Sequence, residues 1–304
     1  MTMADKMAWG VLLHLGYNFW NDEKTADFVR CDDAVWHAVT GRMAERKLNL
    51  LLIDLGEGVV YPSHPELAVK GSWSAEKLRD ELERLRGMGI EPIPKLNFST
   101  CHDAWLKEYG RMVSTPEYYR VCGDLIRDVC EMFGTPRLFH LGFDEENAWH
   151  QRLYPQTVIR QGDLWWHDLL LLAKEVEKCC ARPWVWSDKC WGDRWSEFEK
   201  RMPRSILQSN WYYYREFSDP APHNRMRCVR AYDLLDKAGF DQIPTGSNWD
   251  NDENMSKTVE YCRRHVSSGR LKGFLAAPWK ATLPDMQDRL MRGIDQLVAS
   301  CDVS

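Results

Sequence analysis

The chain contains an apolar run that ends in three consecutive acids, Arg137-Leu138-Phe139-His140-Leu141-Gly142-Phe143-Asp144-Glu145-Glu146-Asn147. The first half of this stretch predicts a buried β-strand. Adjacent carboxylates repel and raise one another's pKa, so surrounding donors have to hold them in place. Acids at this position also suit the first turn of a helix, so a purely structural interpretation stands beside a functional one.

Similar apolar runs recur along the 304 residues, and most are followed by a stretch of helical character. Besides the run already quoted, strands are predicted at residues 9–15, 48–54, 90–97, 183–188, 205–211, 241–246 and 271–277. Eight strand–helix repeats predict an α/β chain folded as a single (β/α)8 TIM barrel, a fold of about 250 residues. One catalytic domain is therefore expected over residues 1–304. A doubly wound sheet is the alternative, but no Gly-rich phosphate fingerprint follows the first strand.

Composition narrows the class of protein. A net charge of -5 offers no basic surface for nucleic acid. No run approaches the about 20 apolar residues of a membrane span, and the first residues do not form a signal peptide, so a cytoplasmic location is expected. The ten cysteines include no C-x-x-C pair, so neither a zinc site nor a disulfide framework is predicted. No cofactor and no metal are expected, and a homo-oligomer is left open.

Active sites of such barrels lie at the carboxyl ends of the strands. The residues predicted there are His14, Tyr17, Asn18, Trp20, Asp54, Glu57, Asn97, His102, Asp144, Glu145, Trp186, Asp188, Asn210, Trp211, Tyr212, Asn248, Trp249, Trp279 and Lys280. Carboxylates among tryptophans suggest glycoside hydrolysis, because an indole stacks on the C–H face of a sugar while its N–H donates to a hydroxyl. Asp54 and Asp188 are candidates for binding substrate hydroxyls, and Trp249 for the aromatic wall. The expected partner is an oligosaccharide or glycoside.

The paired acids on the fourth strand favour one glycosidase scheme. A retaining enzyme with a protein nucleophile needs a second carboxylate on another strand. The seventh strand offers only Asp250, Asp252 and Glu253, all in the loop beyond it. Neighbouring acids suit a scheme in which the 2-acetamido group of the substrate attacks the anomeric carbon, one acid holding that group and the other acting as acid/base.

The segment His140-Leu141-Gly142-Phe143-Asp144-Glu145 resembles the His-x-Gly-Gly-Asp-Glu signature of glycoside hydrolase family 20, the β-N-acetylhexosaminidases. The resemblance implies a (β/α)8 barrel in which Glu145 is the general acid/base and Asp144 orients the acetamido group. It also implies that His102 supports the acid, that the Tyr212 hydroxyl binds the acetamido carbonyl, and that Trp186 and Trp279 line the pocket.

Several positions depart from the family pattern. Phe143 replaces the second glycine, Asn97 stands where an Asp behind the histidine is usual, and Tyr214 replaces an Asp or Asn. The strand-one Arg has no counterpart between His14 and Trp20, and Lys280-Ala281 follows Trp279 where the family has a Glu. The family's barrel is commonly preceded by a small α/β domain, for which no counterpart is expected in these 304 residues. These changes predict atypical recognition of the outer sugar hydroxyls, with Lys280 either pairing with a charged sugar or simply solvated.

Other residues receive structural interpretations. Glu146 is expected to start a helix, His140 to be structural, and Tyr213 to point away from Tyr212 and Tyr214 by strand alternation. Two functional alternatives stay open. One is an inverting glycosidase with Asp188 as base, if its carboxyl lies about 6.5–9.5 Å from that of Glu145. The other is a carbohydrate-binding barrel whose catalysis is impaired.

Overall fold

The computed structural model describes residues 6–18, 25–218 and 223–301. For residues 223 and 224 it describes the backbone and not the side chains. Trp20, which the sequence places after the first strand, lies outside them. The strands are β1 Ala8–His14, β2 Leu50–Asp54, β3 Glu91–Lys95, β4 Leu138–His140, β5 Arg182–Trp186, β6 Leu207–Ser209, β7 Thr245–Gly246 and β8 Gly273–Ala276. The helices are α1 Asp33–Glu45, α2 Ala75–Gly87, α3 Pro116–Met132, α4 Gly162–Lys178, α5 Trp195–Arg201, α6 His223–Lys237, α7 Asn254–His265 and α8 Gln287–Cys301.

The eight strands form one parallel sheet in the order β6-β5-β4-β3-β2-β1-β8-β7. The two outer strands meet at a seam, where Trp211 bridges to Thr245 and Gln208 to Gln242. At this seam the Thr245 N–H donates to the Asn210 carbonyl at 2.9 Å. The sheet therefore closes, which confirms the predicted (β/α)8 barrel.

The prolines of β3 are accommodated by a shortened ladder. Pro92 and Pro94 keep register with β2, opposite Leu51 and Ile53. Leu96, which alternates in phase with these prolines, donates its N–H to the His140 carbonyl of β4 at 3.0 Å. The prolines therefore face β4, where a proline cannot donate, and the ladder between β3 and β4 has a single register pair.

Strand alternation divides the buried side chains into two layers. Leu12, Leu52 and Ile93 belong to a cluster inside the barrel, whereas Val11 and Leu51 pack in a second cluster that also contains apolar residues of the helices. The last inward-facing residue of each strand therefore reaches the mouth of the barrel. No helix in the described part of the chain combines the length and the apolar character that a membrane crossing requires.

Candidate active site

The acidic segment after β4 is a tight turn, called here the acidic turn (residues 141–147). Gly142, Phe143 and Glu145 all have left-handed backbones, with φ angles of 74°, 70° and 57°. A Cβ on Gly142 would lie 1.9 Å from Asn97 Oδ1, so this position requires glycine. Phe143 adopts an unfavourable conformation for a bulky residue, and its ring packs edge-on against Trp165 at a centroid distance of 5.6 Å. The turn thus presents its acids at the cost of backbone strain.

One histidine lies between the two candidate catalytic acids. His102 Nε2 is 3.2 Å from Asp144 Oδ2 and 3.4 Å from Glu145 Oε2. The histidine is buried, with 6% of the residue exposed. Asn97 was expected behind this histidine. Instead, its Nδ2 donates to Asp144 Oδ1 at 2.9 Å, and its Oδ1 accepts the Ser99 N–H. The sequence prediction that His102, Asp144 and Glu145 converge matches this geometry, whereas Asn97 holds the aspartate rather than the histidine.

The charges of this group stabilise one another. Burial lowers the pKa of His102, but the charge of Asp144 and hydrogen bonds to both acids outweigh it and raise the pKa to about 9. Burial likewise raises the pKa of Asp144, yet the charge and hydrogen bond of His102, followed by the charge of Lys95, bring it well below its usual range. At neutral pH the site therefore holds an imidazolium beside an ionised Asp144.

The backbone of Glu145 is bonded on both sides by side chains that the sequence did not identify for this role. Asp188 Oδ2 accepts its N–H at 3.0 Å. The Glu145 carbonyl accepts hydrogen bonds from Cys101 Sγ at 2.7 Å and from Asn147 Nδ2 at 2.8 Å. His150 Nδ1 lies 3.7 Å from Glu145 Oε2, a second imidazole near the acid. Because Cys101 directly precedes His102, the same loop end positions both partners.

Asp188 lies against the acidic turn, where it contacts the backbone of Glu145. Burial, with the nearby charge of Asp144, raises the pKa of Asp188 to about 7 despite the hydrogen bond from the Glu145 backbone. This contact gives the Asp188 carboxylate a structural role in holding the backbone of the acidic turn.

The prediction that Glu146 starts a helix is wrong. The next helix, α4, begins at Gly162, and Glu146 instead forms an ion pair with the buried Arg160. Arg160 also pairs with Asp168 at 3.1 Å and lies 4.6 Å from the centroid of the Phe143 ring. A buried carboxylate needs a charged partner. Nothing in the residue pattern indicates that this partner lies fourteen residues further along a loop.

An aromatic wall faces the acids across the barrel mouth. Trp186 and Trp279 have ring centroids 5.8 Å apart, and Tyr213 lies 6.5 Å from Trp279 and stacks on Trp211 at 5.1 Å. Burial raises the pKa of Tyr213, and the carboxylates of Glu145, Asp144 and Asp188 raise it further. Among Tyr212, Tyr213 and Tyr214, Tyr213 is therefore the one on which the charges of these acids act.

The expectation for the other two tyrosines differs from the structure. Trp211 packs with the interior cluster, so alternation puts Tyr213 on the same side and turns Tyr212 towards the helices. The Tyr212 hydroxyl donates to the Glu216 carbonyl at 2.7 Å. Tyr214 packs on the same outer layer, beneath the Arg225 guanidinium. Trp249 is 53% exposed in the loop after β7.

A cleft at the ends of β1, β2 and β3 adjoins the acids, lined by Gly16, Asn18, Asp54, Gly56, Glu57, Lys95, Asn97, His102, Trp105 and Trp279. Asp54, predicted to bind substrate, forms a buried ion pair with Lys95. Glu57 accepts the backbone N–H groups of Tyr17 and Asn18 at 2.8 and 3.0 Å. A guanidinium that the sequence did not single out reaches this end: Arg30 donates to the Tyr17 carbonyl at 2.6 Å.

A metal ion finds one candidate group in the described ranges. Ligand atoms of His102, Asp144 and Glu145 lie within 4.8 Å of one another. The imidazole of His102 would have to lose its proton to bind a metal there, because a ligating histidine is neutral.

Comparison with known proteins rests on structure, since no protein-family model and no curated protein matches the sequence. A GH20 exo-β-N-acetylglucosaminidase from Vibrio harveyi superposes with a TM-score of 0.64 at 14% identity, over 97% of this chain and 54% of that one. A β-N-acetylhexosaminidase from Bacteroides fragilis superposes with a TM-score of 0.66 at 13% identity, over 96% of this chain and 65% of that one. Dispersin B gives 0.63 at 13% identity, over 97% and 99% of the two chains. The chain thus spans about half to two thirds of the first two proteins, and its fold is that of the family 20 β-N-acetylhexosaminidase barrels.

Proposed function

We propose that the protein is a glycosidase that releases N-acetylhexosamine with retention, using the 2-acetamido group of its substrate as the nucleophile. One observation carries this proposal: Asp144 and Glu145 are adjacent, and His102 contacts both. Two neighbouring acids in different environments are what separate orienting and proton-transfer roles need. The structural likeness to family 20 enzymes supports the same reaction class.

In the first step the acetamido oxygen attacks the anomeric carbon while the glycosidic C–O bond breaks. Glu145 gives its proton to the leaving oxygen, and Asp144 accepts a hydrogen bond from the acetamido N–H as positive charge develops there. In the second step Glu145 removes a proton from water, which opens the cyclic intermediate at the same carbon. Asn97 and His102 hold Asp144 on both oxygens, so it is oriented before the substrate arrives.

The aromatic wall supplies the remainder of the sugar pocket. Trp186 and Trp279 provide the apolar surface, and Tyr213, in place of Tyr212, provides the hydroxyl that meets the acetamido carbonyl. Outer-hydroxyl recognition rests on the cleft beside β1–β3, where carboxylates and Asn18 replace the Arg of the family pattern. Lys280, half-buried after β8, remains the candidate for a charged substituent.

The test is turnover of aryl N-acetyl-β-glucosaminide and aryl N-acetyl-β-galactosaminide. Glu145→Gln is expected to lower kcat by about 10²–10⁴-fold, the usual contribution of a general acid. Glu45→Gln, at an exposed glutamate of α1, is the matched control and should match the wild type. A thiazoline analogue of the cyclic intermediate should inhibit.

Two outcomes would contradict the proposal. Equal turnover of aryl β-glucosides, which lack the acetamido group, would exclude substrate-assisted catalysis. Binding of N-acetylhexosamine without turnover of either substrate would favour the carbohydrate-binding barrel.

A further inference from the structure

A layer of polar residues lies across the barrel interior directly beneath the acids. His14, Asp54, Lys95 and His140 come from four adjacent strands and are paired in register, each opposite the next. We call these four residues the polar layer. Leu12, Leu52 and Ile93 form the apolar layer one step deeper. The change from apolar to charged therefore occurs at the last strand residues before the mouth.

Lys95 is the centre of this layer. Its side chain is 1% exposed, and its ammonium donates to Asp54 Oδ2. The same carboxylate oxygen lies 3.4 Å from His14 Nδ1. Burial and the charge of Lys95 together lower the pKa of His140, so the ammonium also acts on the fourth strand. The lysine thus carries a positive charge in the interior, between β2 and β4.

Stability alone does not explain such a pair. Removing two charges from water costs several kcal/mol per ion, and apolar residues of similar volume commonly do as well or better at buried positions. An apolar layer would continue the packing of Leu52 and Ile93 beneath it. The charge is therefore better explained by what lies above it.

Asp144 is the group above. Asn97 follows Lys95 by two residues, so both side chains point to the same side of β3, and Asn97 donates to Asp144 Oδ1. Lys95, Asn97 and His102 line one cleft. Asp144 is consequently held by Asn97 and His102 at its oxygens, with the Lys95 ammonium one step deeper on the same strand.

We propose that Lys95 is a positioning residue that keeps Asp144 ionised during catalysis, with Asp54 as the counter-charge that lets the lysine be buried. The inference rests on the proposed function for its catalytic meaning. A neutral Asp144 could not balance the positive charge that develops on the acetamido group, so turnover would be lost wherever Asp144 is protonated. The ammonium extends the ionised state of Asp144 to lower pH.

Several other titratable groups face Asp144 or Lys95. They are His14, Asp54, Glu57, His102, His140, Glu145, Asp188 and Tyr213. The variants below change only Lys95 and its counter-charge. Both residues also act on His14, and Lys95 acts on His140, so the Asp144 titration is followed directly and not through activity alone.

The experiment compares Lys95→Met/Asp54→Asn, which removes both charges, with Asp54→Asn alone, which keeps the ammonium. Carboxyl ¹³C NMR follows the titration of Asp144, assigned with Asp144→Asn, and the pH dependence of kcat/KM follows turnover. In the double variant the Asp144 titration and the acid limb of kcat/KM should both move up by about one pH unit or more. In Asp54→Asn neither should move up, and Lys95→Arg should resemble the wild type.

The outcomes separate the two proposals. A folded double variant whose Asp144 titration coincides with that of the wild type would overturn the role of Lys95, whatever the activity. A wild type without turnover of N-acetyl substrates would overturn the proposed function, while the NMR titration would still decide whether Lys95 controls Asp144. If Lys95→Met alone does not fold because Asp54 is left unpaired, the double variant still provides the measurement.

Discussion

Asp188 accepts the backbone N–H of Glu145 through Oδ2 at 3.0 Å, which ties the end of β5 to the acid that follows β4. Glu145 needs such a tie because its φ of 57° is unfavourable for a non-glycine residue. The second oxygen, Oδ1, is buried and has no hydrogen-bond partner among the described residues. A carboxyl with one oxygen bonded and the other desolvated is easily protonated, in keeping with its pKa of about 7.

We expect Asp188→Asn to raise the Tm of the protein, relative to the wild type, by more at pH 8 than at pH 5. The amide oxygen can still accept the Glu145 N–H, but the side chain no longer has to ionise. In the wild type the pKa of Asp188 rises from 3.8 to about 7 on folding. The folded state thus binds the proton more tightly, and this stabilisation is lost as pH rises from about 4 to 7. Thermal unfolding at both pH values measures the effect.

Asp193→Asn, at an exposed position five residues along the same segment, is the control and should change Tm equally at both pH values. If Asp188→Asn also shifts Tm by the same amount at pH 5 and pH 8, then Asp188 does not titrate in this range on folding.

We expect Cys101→Ala to lower kcat by about ten- to a hundredfold, because small misplacements of a catalytic group have effects of this size. The thiol donates to the Glu145 carbonyl at 2.7 Å and accepts the Asn147 N–H at 3.3 Å, and alanine can do neither. Cys101→Ser keeps a donor and should recover part of the loss. Steady-state kinetics with KM and kcat resolved is the measurement.

Cys122→Ala provides the matched comparison, since Cys122 is equally buried but lies in α3. Both alanine variants should lose similar stability, and only Cys101→Ala should lose kcat. Parallel losses of kcat in both would mean that the thiol contributes only packing.

The sequence was sufficient to predict the barrel and the proximity of His102, Asp144 and Glu145, because strand ends in such a barrel converge by topology alone. His102, Asp144 and Glu145 are each the polar residues that follow an apolar run, and no register information is needed to bring them together. Pro92 and Pro94 make β3 harder to predict from the sequence, but they do not prevent the strand from forming. Both prolines face β4, with which β3 is only weakly paired.

What failed were assignments that depend on phase or on distant partners. The aromatic run Trp211–Tyr214 does not reveal which member faces inward; the bridge from Trp211 to Thr245 at the barrel seam sets it. Glu146 was assigned from its neighbours in sequence, whereas its environment is set by Arg160 in a loop. No sequence pattern distinguishes Lys95 from its neighbours in the strand; its position between Asp54 and His140 follows from the register of β3 with β2 and β4.

We expect Tyr213→Phe to lower kcat/KM for N-acetyl substrates, and Tyr212→Phe to leave it unchanged. Loss of one hydrogen bond to a developing charge lowers the rate by at most about 10²–10³-fold. The Tyr212 hydroxyl donates to the Glu216 carbonyl instead, so its removal should cost about 0.5–1.5 kcal/mol of stability. Kinetics and urea unfolding of both variants check this pair of expectations. The reverse result, with activity lost only in Tyr212→Phe, would restore the assignment made from the family pattern.

The Arg160 network predicts a large difference between two arginines on the same protein. Arg160, which is 2% exposed, pairs with Glu146 and Asp168, whereas Arg137 pairs with Glu91 near the surface. Arg160→Met should cost about 3–5 kcal/mol in urea unfolding, because it leaves buried carboxylates unpaired. Arg137→Met should cost only about 0–1 kcal/mol, as expected for an exposed pair.

A second arm separates the charge from the shape of Arg160. Arg160→Met/Glu146→Gln removes one orphaned charge along with the cation and should recover part of the stability, since the penalty comes from the unpaired carboxylates. Activity should not recover with it, because Arg160 also lies over the Phe143 ring that supports the acidic turn. Recovery of both together would mean that the turn depends on charge balance alone. A loss no greater than that of Arg137→Met would mean that Glu146 and Asp168 find other partners.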